Sequence, residues 1–286
     1  MLQMALSAFF FAVMAVFARF AGARLPAQEV VLARAVISTA LSFVMLRRAG
    51  APFRGNRPKM LVLRGLTGFL SLSCYFWTVI HLPFAEAVLL AQTAPIFTAL
   101  IAWKALGERP GPRFAPAAAM VLVGVVLVAS PSPADFQGAQ LGWVLVGLLG
   151  AVAAGSAYTE VRALSRSEHP LTIVLWFQMT MIFLSLPGTF VSGAVLPRGA
   201  DWLWLAGVGL FGQAGQVFLT EGLRRTPAGR ASLANPLVIL FGAAIGWLLF
   251  HENLDWGDLL GAALLVFGLI FSGSAPRNAV PRSSAS

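Results

Sequence analysis

The chain has 286 residues, 58% of them hydrophobic and only 11% charged, with a mean hydropathy of +0.80. A soluble domain of this length needs far more charge to cover its surface, so the surplus apolar surface requires lipid as its solvent. The formal net charge of +9 would suit nucleic acid, but the basic residues fall in short segments between apolar runs, the pattern of a membrane protein's cytoplasmic loops.

Crossing a hydrocarbon core of about 30 Å takes about 20 helical residues at about 1.5 Å each. Apolar runs of that size predict helices near 2–20, 28–46, 61–80, 84–103, 114–130, 140–160, 171–192, 202–222, 229–250 and 257–273. The first run ends in Ala21-Gly22-Ala23, which mimics a signal-peptide cleavage site. No Lys or Arg precedes Ala5, however, and Arg19 stands just before the site, so the segment reads as a first transmembrane helix. The connections hold the turn-formers: Arg54-Gly55-Asn56-Arg57-Pro58, Gly107-Glu108-Arg109-Pro110, Pro131-Ser132-Pro133 and Pro197-Arg198-Gly199. Residues 274–286 lack apolar period and are expected to form a disordered cytoplasmic tail. Cys74 is the single cysteine and lies inside an apolar run, which excludes an intrachain disulfide or thiolate metal site.

Topology follows from the positive charges. With the N-terminus cytoplasmic, the inside segments hold Arg47, Arg48, Arg54, Arg57 and Lys59, then Lys104, Arg109 and Arg113, then Arg162 and Arg166, then Arg224, Arg225 and Arg230, then Arg277 and Arg282. The outside segments hold Arg19, Arg24 and Arg198, while Arg34 and Arg64 lie within helices. A bias that alternates correctly through ten spans places both termini in the cytoplasm and the chain in the inner membrane.

The two halves match at a constant offset of 144 residues: Pro26 with Pro170, Gly65 with Gly209, Gly68 with Gly212, Pro83 with Pro227, Phe97 with Phe241, Trp103 with Trp247, Glu108 with Glu252 and Gly124 with Gly268. Five spans per copy put the second upside down relative to the first. The charges agree, since Lys104, Arg109 and Arg113 have no basic counterpart where Glu252, Asp255 and Asp258 stand. The predicted fold is therefore an all-α integral membrane protein of ten transmembrane helices in two inverted five-helix repeats, 1–140 and 141–273. Inverted repeats are the architecture of secondary transporters, because two pseudo-symmetric halves can exchange conformations around one midplane site.

Pro95-Ile96-Phe97-Thr98-Ala99-Leu100-Ile101-Ala102-Trp103 running into Gly107-Glu108-Arg109, then a helix ending Gly124-Val125-Val126-Leu127, resembles the EamA-type carriers of the drug/metabolite transporter superfamily. The second copy reads Ala234-Asn235-Pro236-Leu237 through Trp247 to His251-Glu252, and it departs from the family's Gly-Glu-Arg at His251-Glu252-Asn253. The resemblance covers essentially the whole chain. It implies a cavity surrounded by helices 1–4 and 6–9, with helices 5 and 10 outside as support or as the face of a homodimer. It also implies carriage of a small metabolite and no cofactor. Helix 10 begins Gly257-Asp258-Leu259-Leu260-Gly261, a small-residue spacing suited to close helix contact.

Arg34 sits about two turns inside helix 2, where an unpaired Arg costs roughly 2.5–3.5 kcal/mol on insertion scales. It needs a structural partner or an anion in the cavity, and its repeat mate Gln178 is also polar. Gln92, Thr93 and Pro95 in helix 4 and Asn235-Pro236 in helix 9 form the kinks that point to a midplane site in both halves. Tyr75, Tyr158, Trp176, Gln213 and Gln216 would complete an aromatic and amide lining, although each alone also fits packing or a membrane belt. Arg64, one turn into helix 3, is expected to snorkel to the interface, with a gate or coupling role as the alternative. Glu221 with Arg224 and Arg225, and Glu160 beside Arg162, read as local ion pairs, with a gate or coupling role as the alternative for Glu221. Glu86 reads as a helix cap or a protonatable gate. Gly207-Val208-Gly209-Leu210-Phe211-Gly212 matches a dinucleotide fingerprint but opens a membrane helix with no preceding strand, so it is set aside.

The function predicted is secondary transport of a small organic anion or zwitterion, such as a carboxylate or amino acid, by alternating access. A membrane-embedded lipid-modifying enzyme would need clustered acids, His or metal ligands, whereas His81, His169 and His251 are scattered. A channel or non-transporting scaffold is the remaining class, and a scaffold need not keep inverted halves or an intramembrane Arg34.

Overall fold

The computed structural model describes residues 1–82, 84–129, 141–191, 195–250 and 256–273. These are helical, with no strand among them: α1 (Leu2–Gly22), α2 (Ala27–Arg48), α3 (Pro58–His81), α4 (Phe84–Ala91), α5 (Ala94–Leu106), α6 (Phe114–Ala129), α7 (Leu141–Leu164), α8 (Pro170–Val191), α9 (Asp201–Arg225), α10 (Ala228–Ser232), α11 (Leu237–Phe250) and α12 (Trp256–Gly273). Among the described residues seven stretches are long and apolar enough to cross a membrane, and Phe114–Leu127 and Leu259–Ser272 are shorter apolar helices. Large side chains such as Phe183, Leu210 and Phe267 stand more than half exposed on the outer surface, as lipid contact requires. The expected tail 274–286 and the segments containing Asp135 and Glu252 lie outside the described residues.

Every predicted apolar run is helical, and two of them are broken where the sequence places proline. The run at 84–103 splits into α4 and α5, with Pro95 in the first turn of α5, where its missing N–H costs no bond. The Thr93 hydroxyl caps the end of α4 by donating to the Leu90 carbonyl at 2.6 Å. The run at 229–250 splits into α10 and α11, with Pro236 just before α11. Gly107 ends α5 in the left-handed region at φ +71°, which is the physical reason for the glycine of the Gly-Glu-Arg motif.

The helices pack in exchanged pairs: α1 on α9 and α3 on α7, α5 on α7 and α11 on α1, with α2 on α8 and α6 on α12. Small residues set the closest approach. A Cβ added to Gly124 would lie 2.7 Å from the Gly261 carbonyl oxygen, and one added to Gly268 would lie 3.1 Å from that of Ala117. The two contacts are the same contact displaced by 144 residues, and they place the small spacing at Gly257–Gly261 against α6 of the same chain. Backbone cannot yield as a flexible side chain does. Gly124→Leu is therefore expected to force α12 off α6 and to destabilise the protein by about 1–3 kcal/mol, read as a lowered melting temperature in detergent. An unchanged melting temperature would mean that the seam is not tight.

Candidate functional site

A cavity of about 870 Å³ lies between the halves, within the usual size of a small-molecule site. Its wall comes mainly from α1, α3, α4, α7 and α11, and α6 and α12 contribute none of it among the described residues. It runs from Leu219, Asn235 and Pro95 in the middle of the bundle to Arg19, Thr78, Gly147 and Gly246 toward one end. The other end is packed shut by Met4, Leu61, Ala102, Val161, Leu164, Leu223, Ala228 and Ala231, all at most 1% exposed.

Besides Arg19 toward its end, Arg34 and Arg64 bring guanidinium groups to the wall. Arg34 from α2 has its Cζ 5.9 Å from the Phe11 ring centroid, and its Nε is buried without a hydrogen-bond partner. Arg64 from α3 is 3% exposed, its Cζ 4.3 Å over the Phe177 ring, with Nε and Nη1 both unpartnered. Among the described residues no carboxylate oxygen lies within 4.0 Å of either. Each lies over a glycine: a Cβ on Gly212 would sit 2.9 Å from Arg34 Nε, and one on Gly68 would collide with Arg64 Nη1. Those glycines are repeat mates. Aromatic faces stabilise the cations, and the missing side chains leave room for them, but neither replaces a counter-ion.

Of the residues predicted for the site, Arg34, Tyr75, Gln92, Tyr158, Gln216 and Asn235 line the cavity. Tyr158 of α7 and Asn235, at the break between α10 and α11, both line this wall. The remaining four are not brought to the wall. Gln178 is 1% exposed with its Nε2 unpartnered, Gln213 donates to the Ser42 hydroxyl at 2.7 Å, Trp176 donates to the Phe53 carbonyl at 3.1 Å, and Thr93 serves its own turn. Glu221 pairs with Arg224 at 2.9 Å and Arg225 at 2.5 Å, as its spacing predicts. The side chain of Glu86 lies outside the described residues.

Two readings are corrected. Arg64 does not snorkel: it is buried at the cavity, because Gly68 one turn on opens space beside it and Phe177 of α8 supplies a face. Glu160 does not pair with Arg162. Residues two apart on a helix point different ways, and Arg162 turns to Glu108 at 2.7 Å, while Glu160 accepts from the Thr67 hydroxyl at 2.7 Å.

Glu108 is a site residue beyond those predicted. It accepts from Arg162 Nε at 2.7 Å and from the Ala228 N–H at 2.9 Å, where a carboxylate suits the first turn of α10, and Arg166 stands 3.5 Å away. Arg162 Nη1 also donates to the carbonyls of Leu223 and Arg224. One cluster thus joins the end of α5 to α7, α9 and α10 across the closed end of the cavity. The signal for it was the motif glycine at Gly107, which turns the chain so that Glu108 faces the bundle.

A bundle of apolar helices with a cavity between its halves and one packed end is the architecture of a carrier-like protein. The model of the EamA-like transporter family matches the chain twice, at residues 1–130 and 141–274. The pseudopaline exporter CntI of Pseudomonas aeruginosa is 32% identical over 265 residues, covering 93% of this chain and 92% of its own. The riboflavin transporter of Rhizobium johnstonii is 26% identical over 232 residues, covering 80% and 75%, and human solute carrier family 35 member G1 is 28% identical over 221 residues, covering 72% and 59%. A crystal structure with 20% identity superposes with a TM-score of 0.81 over 94% of each chain, which shows the same fold. The chain belongs to the EamA-like transporter family and is an integral membrane transporter.

Proposed function

We propose that the protein is a secondary transporter which moves a small organic anion or zwitterion, such as a carboxylate or an amino acid, across the cytoplasmic membrane by alternating access. The observation that carries this reading is the pair of guanidinium groups, Arg34 and Arg64, at a cavity wall with no carboxylate within 4.0 Å of them among the described residues. Their charge calls for an anion, and a substrate carboxylate supplies one with paired hydrogen bonds to the planar fork. The tyrosine and amide groups at the wall orient the rest of the ligand. Two named relatives, an exporter of pseudopaline and a transporter of riboflavin, carry organic metabolites across membranes.

The chain works, on this reading, as ten spans in two inverted repeats, 1–140 and 141–273, with both termini cytoplasmic. Support comes from the double family match, from helix pairs that exchange under the 144-residue offset, and from the matched contacts of Gly124 and Gly268. The closed end then faces the cytoplasm and the cavity faces outward. Transport follows when the halves exchange conformations. A monomer suffices for the cavity, and a homodimer through α6 and α12 would leave it untouched.

The test is flux in reconstituted vesicles. A thermal-shift screen against carboxylates and amino acids first finds a ligand, since one that binds only the folded state raises the melting point. Saturable uptake with counterflow of that ligand then identifies a carrier; linear flux would indicate a channel, and no flux a scaffold or enzyme. The topology has its own check on a Cys74→Ala background. Single cysteines at positions 54 and 109 are expected to resist an impermeant reagent from outside, and those at 135 and 258 to react; the reverse pattern would invert the orientation.

A further inference from the structure

The end of α2 is closed by a glycine reversal. Gly50 stands in the left-handed region at φ +62°; its N–H donates to the Arg47 carbonyl at 3.2 Å, and the Ala51 N–H donates to that of Leu46 at 3.0 Å. Ala51 then packs against the cluster that holds Leu46, Leu171 and Leu175. The chain thus folds back beside the last turns of α2, and α8 fastens it there. Thr172 donates its hydroxyl to the Pro52 carbonyl at 2.8 Å, and Trp176 donates Nε1–H to that of Phe53 at 3.1 Å. Held by its backbone, Phe53 meets Phe43 edge to face, with ring centroids 6.5 Å apart at 76°. Arg47, one turn after Phe43, lays its guanidinium over that same ring, Cζ 5.1 Å from the centroid. The result is an open groove of about 520 Å³ lined by Phe43, Leu46, Arg47, Ala51 and Phe53, which shares no residue with the central cavity.

The groove calls for an amphiphile, and for a negatively charged one. Phe43 and Phe53 are 40% and 44% exposed at the end of a membrane helix. A soluble anion leaves such rings bare, whereas an acyl chain covers them. At the polar edge Arg47, Arg48 and Arg54 are exposed, and among the described residues no carboxylate oxygen lies within 4.0 Å of them. Glu168, an acid that does meet this loop, is 6% exposed and accepts from the Arg57 N–H at 2.7 Å. The mouth of the groove is therefore positive, and basic pockets beside membrane helices take anionic headgroups. We propose that this groove binds an anionic phospholipid, with its phosphate at Arg47 and an acyl chain along Phe43 and Phe53. A zwitterionic headgroup sets its own ammonium against the arginines and is disfavoured. Because α8 holds Pro52 and Phe53, a lipid seated here braces α2 of the first half against a loop fastened to the second. The inference is independent of the substrate; the proposed topology decides only that the leaflet is the cytoplasmic one.

Native mass spectrometry of the purified protein in detergent, titrated with phosphatidylglycerol or with phosphatidylethanolamine of the same chains, tests this. Phosphatidylglycerol is expected to bind more tightly. Arg47→Gln should weaken it by about fivefold, the effect of one cation beside an anionic headgroup, and leave phosphatidylethanolamine unchanged. Phe43→Ala should weaken both lipids alike, because the ring meets the chain and not the headgroup; it is the second variant should Arg47→Gln fold poorly. Arg109→Gln removes an exposed cation beyond α5, at the same sealed end but outside the groove, and should leave both affinities at the wild-type level. Inorganic phosphate in excess should not displace the bound lipid. Equal affinity for the two lipids, or equal losses in Arg47→Gln and Arg109→Gln, overturns the inference in favour of a general surface charge. Displacement by inorganic phosphate overturns it in favour of a soluble-phosphate site, and wild-type binding by Phe43→Ala removes the groove from the account.

Discussion

Arg34→Gln is expected to abolish saturable counterflow in vesicles while leaving expression and melting temperature near wild type. The two halves of that outcome have different causes. Arg34 has no carboxylate partner within 4.0 Å among the described residues, and its Nε is buried without a bond. Removing it strands no opposite charge, so the usual penalty for breaking a buried pair is absent. Its loss also relieves the cost of holding a cation at depth. Binding is another matter. A hydrogen bond to a charged group contributes about 1.5–3 kcal/mol, which is about 10- to 150-fold in affinity. Arg34→Lys keeps the charge but not the planar fork, so binding should fall between the two. Calorimetry and counterflow on the same preparations check this. Normal counterflow by Arg34→Gln, or a cationic native ligand, would make Arg34 structural.

Much of this site could be read from the sequence because it depends on local chemistry. Pro95 and Pro236 break their helices for reasons internal to a few residues, and the breaks leave Gln92 and Asn235 at the wall. Tyr75, Tyr158 and Gln216 are polar groups in apolar helices and are found where such groups must be, facing protein or water. What failed was direction. Gln213 and Gln216 lie three residues apart on α9, yet Gln216 meets the cavity while Gln213 meets Ser42 of α2. Which face of α9 looks inward is set by α1 and α2, and no property of α9 alone encodes it.

Arg64 shows the same limit from the other side. One turn into a helix, a long cation normally reaches back to the interface. Here the stem is drawn inward because Gly68 has no side chain and Phe177, more than a hundred positions away in sequence, offers its ring. Glu160 and Arg162 differ in kind, since helical geometry alone forbids residues two apart from facing one another. Turned away from Glu160, Arg162 reaches Glu108 of the preceding half.

Glu108→Ala should shift the protein toward the state in which the sealed end opens. Three attachments meet on that carboxylate: Arg162 Nε at 2.7 Å, the Ala228 N–H at 2.9 Å and Arg166 at 3.5 Å. On the alternating-access proposal they bind α5 to α7 and α10 only while this end is shut, as it is here, with Ala102, Val161, Leu223 and Ala231 beneath them fully packed. Losing the two shorter bonds removes roughly 3 kcal/mol from the closed arrangement alone. A differential of about 3 kcal/mol shifts a two-state equilibrium about 150-fold, enough to move a minor conformer into view. Single cysteines at Ala102 under the cluster and at Val88 on the cavity wall report the two ends, again with Cys74→Ala. Maleimide labelling at 102 should accelerate and labelling at 88 should slow in the same protein. Faster labelling at both positions would mean general loosening. Unchanged labelling at both would show that the apolar packing holds this end without Glu108, and the ion cluster would then be a fastening of the loops, not a latch on the transport cycle.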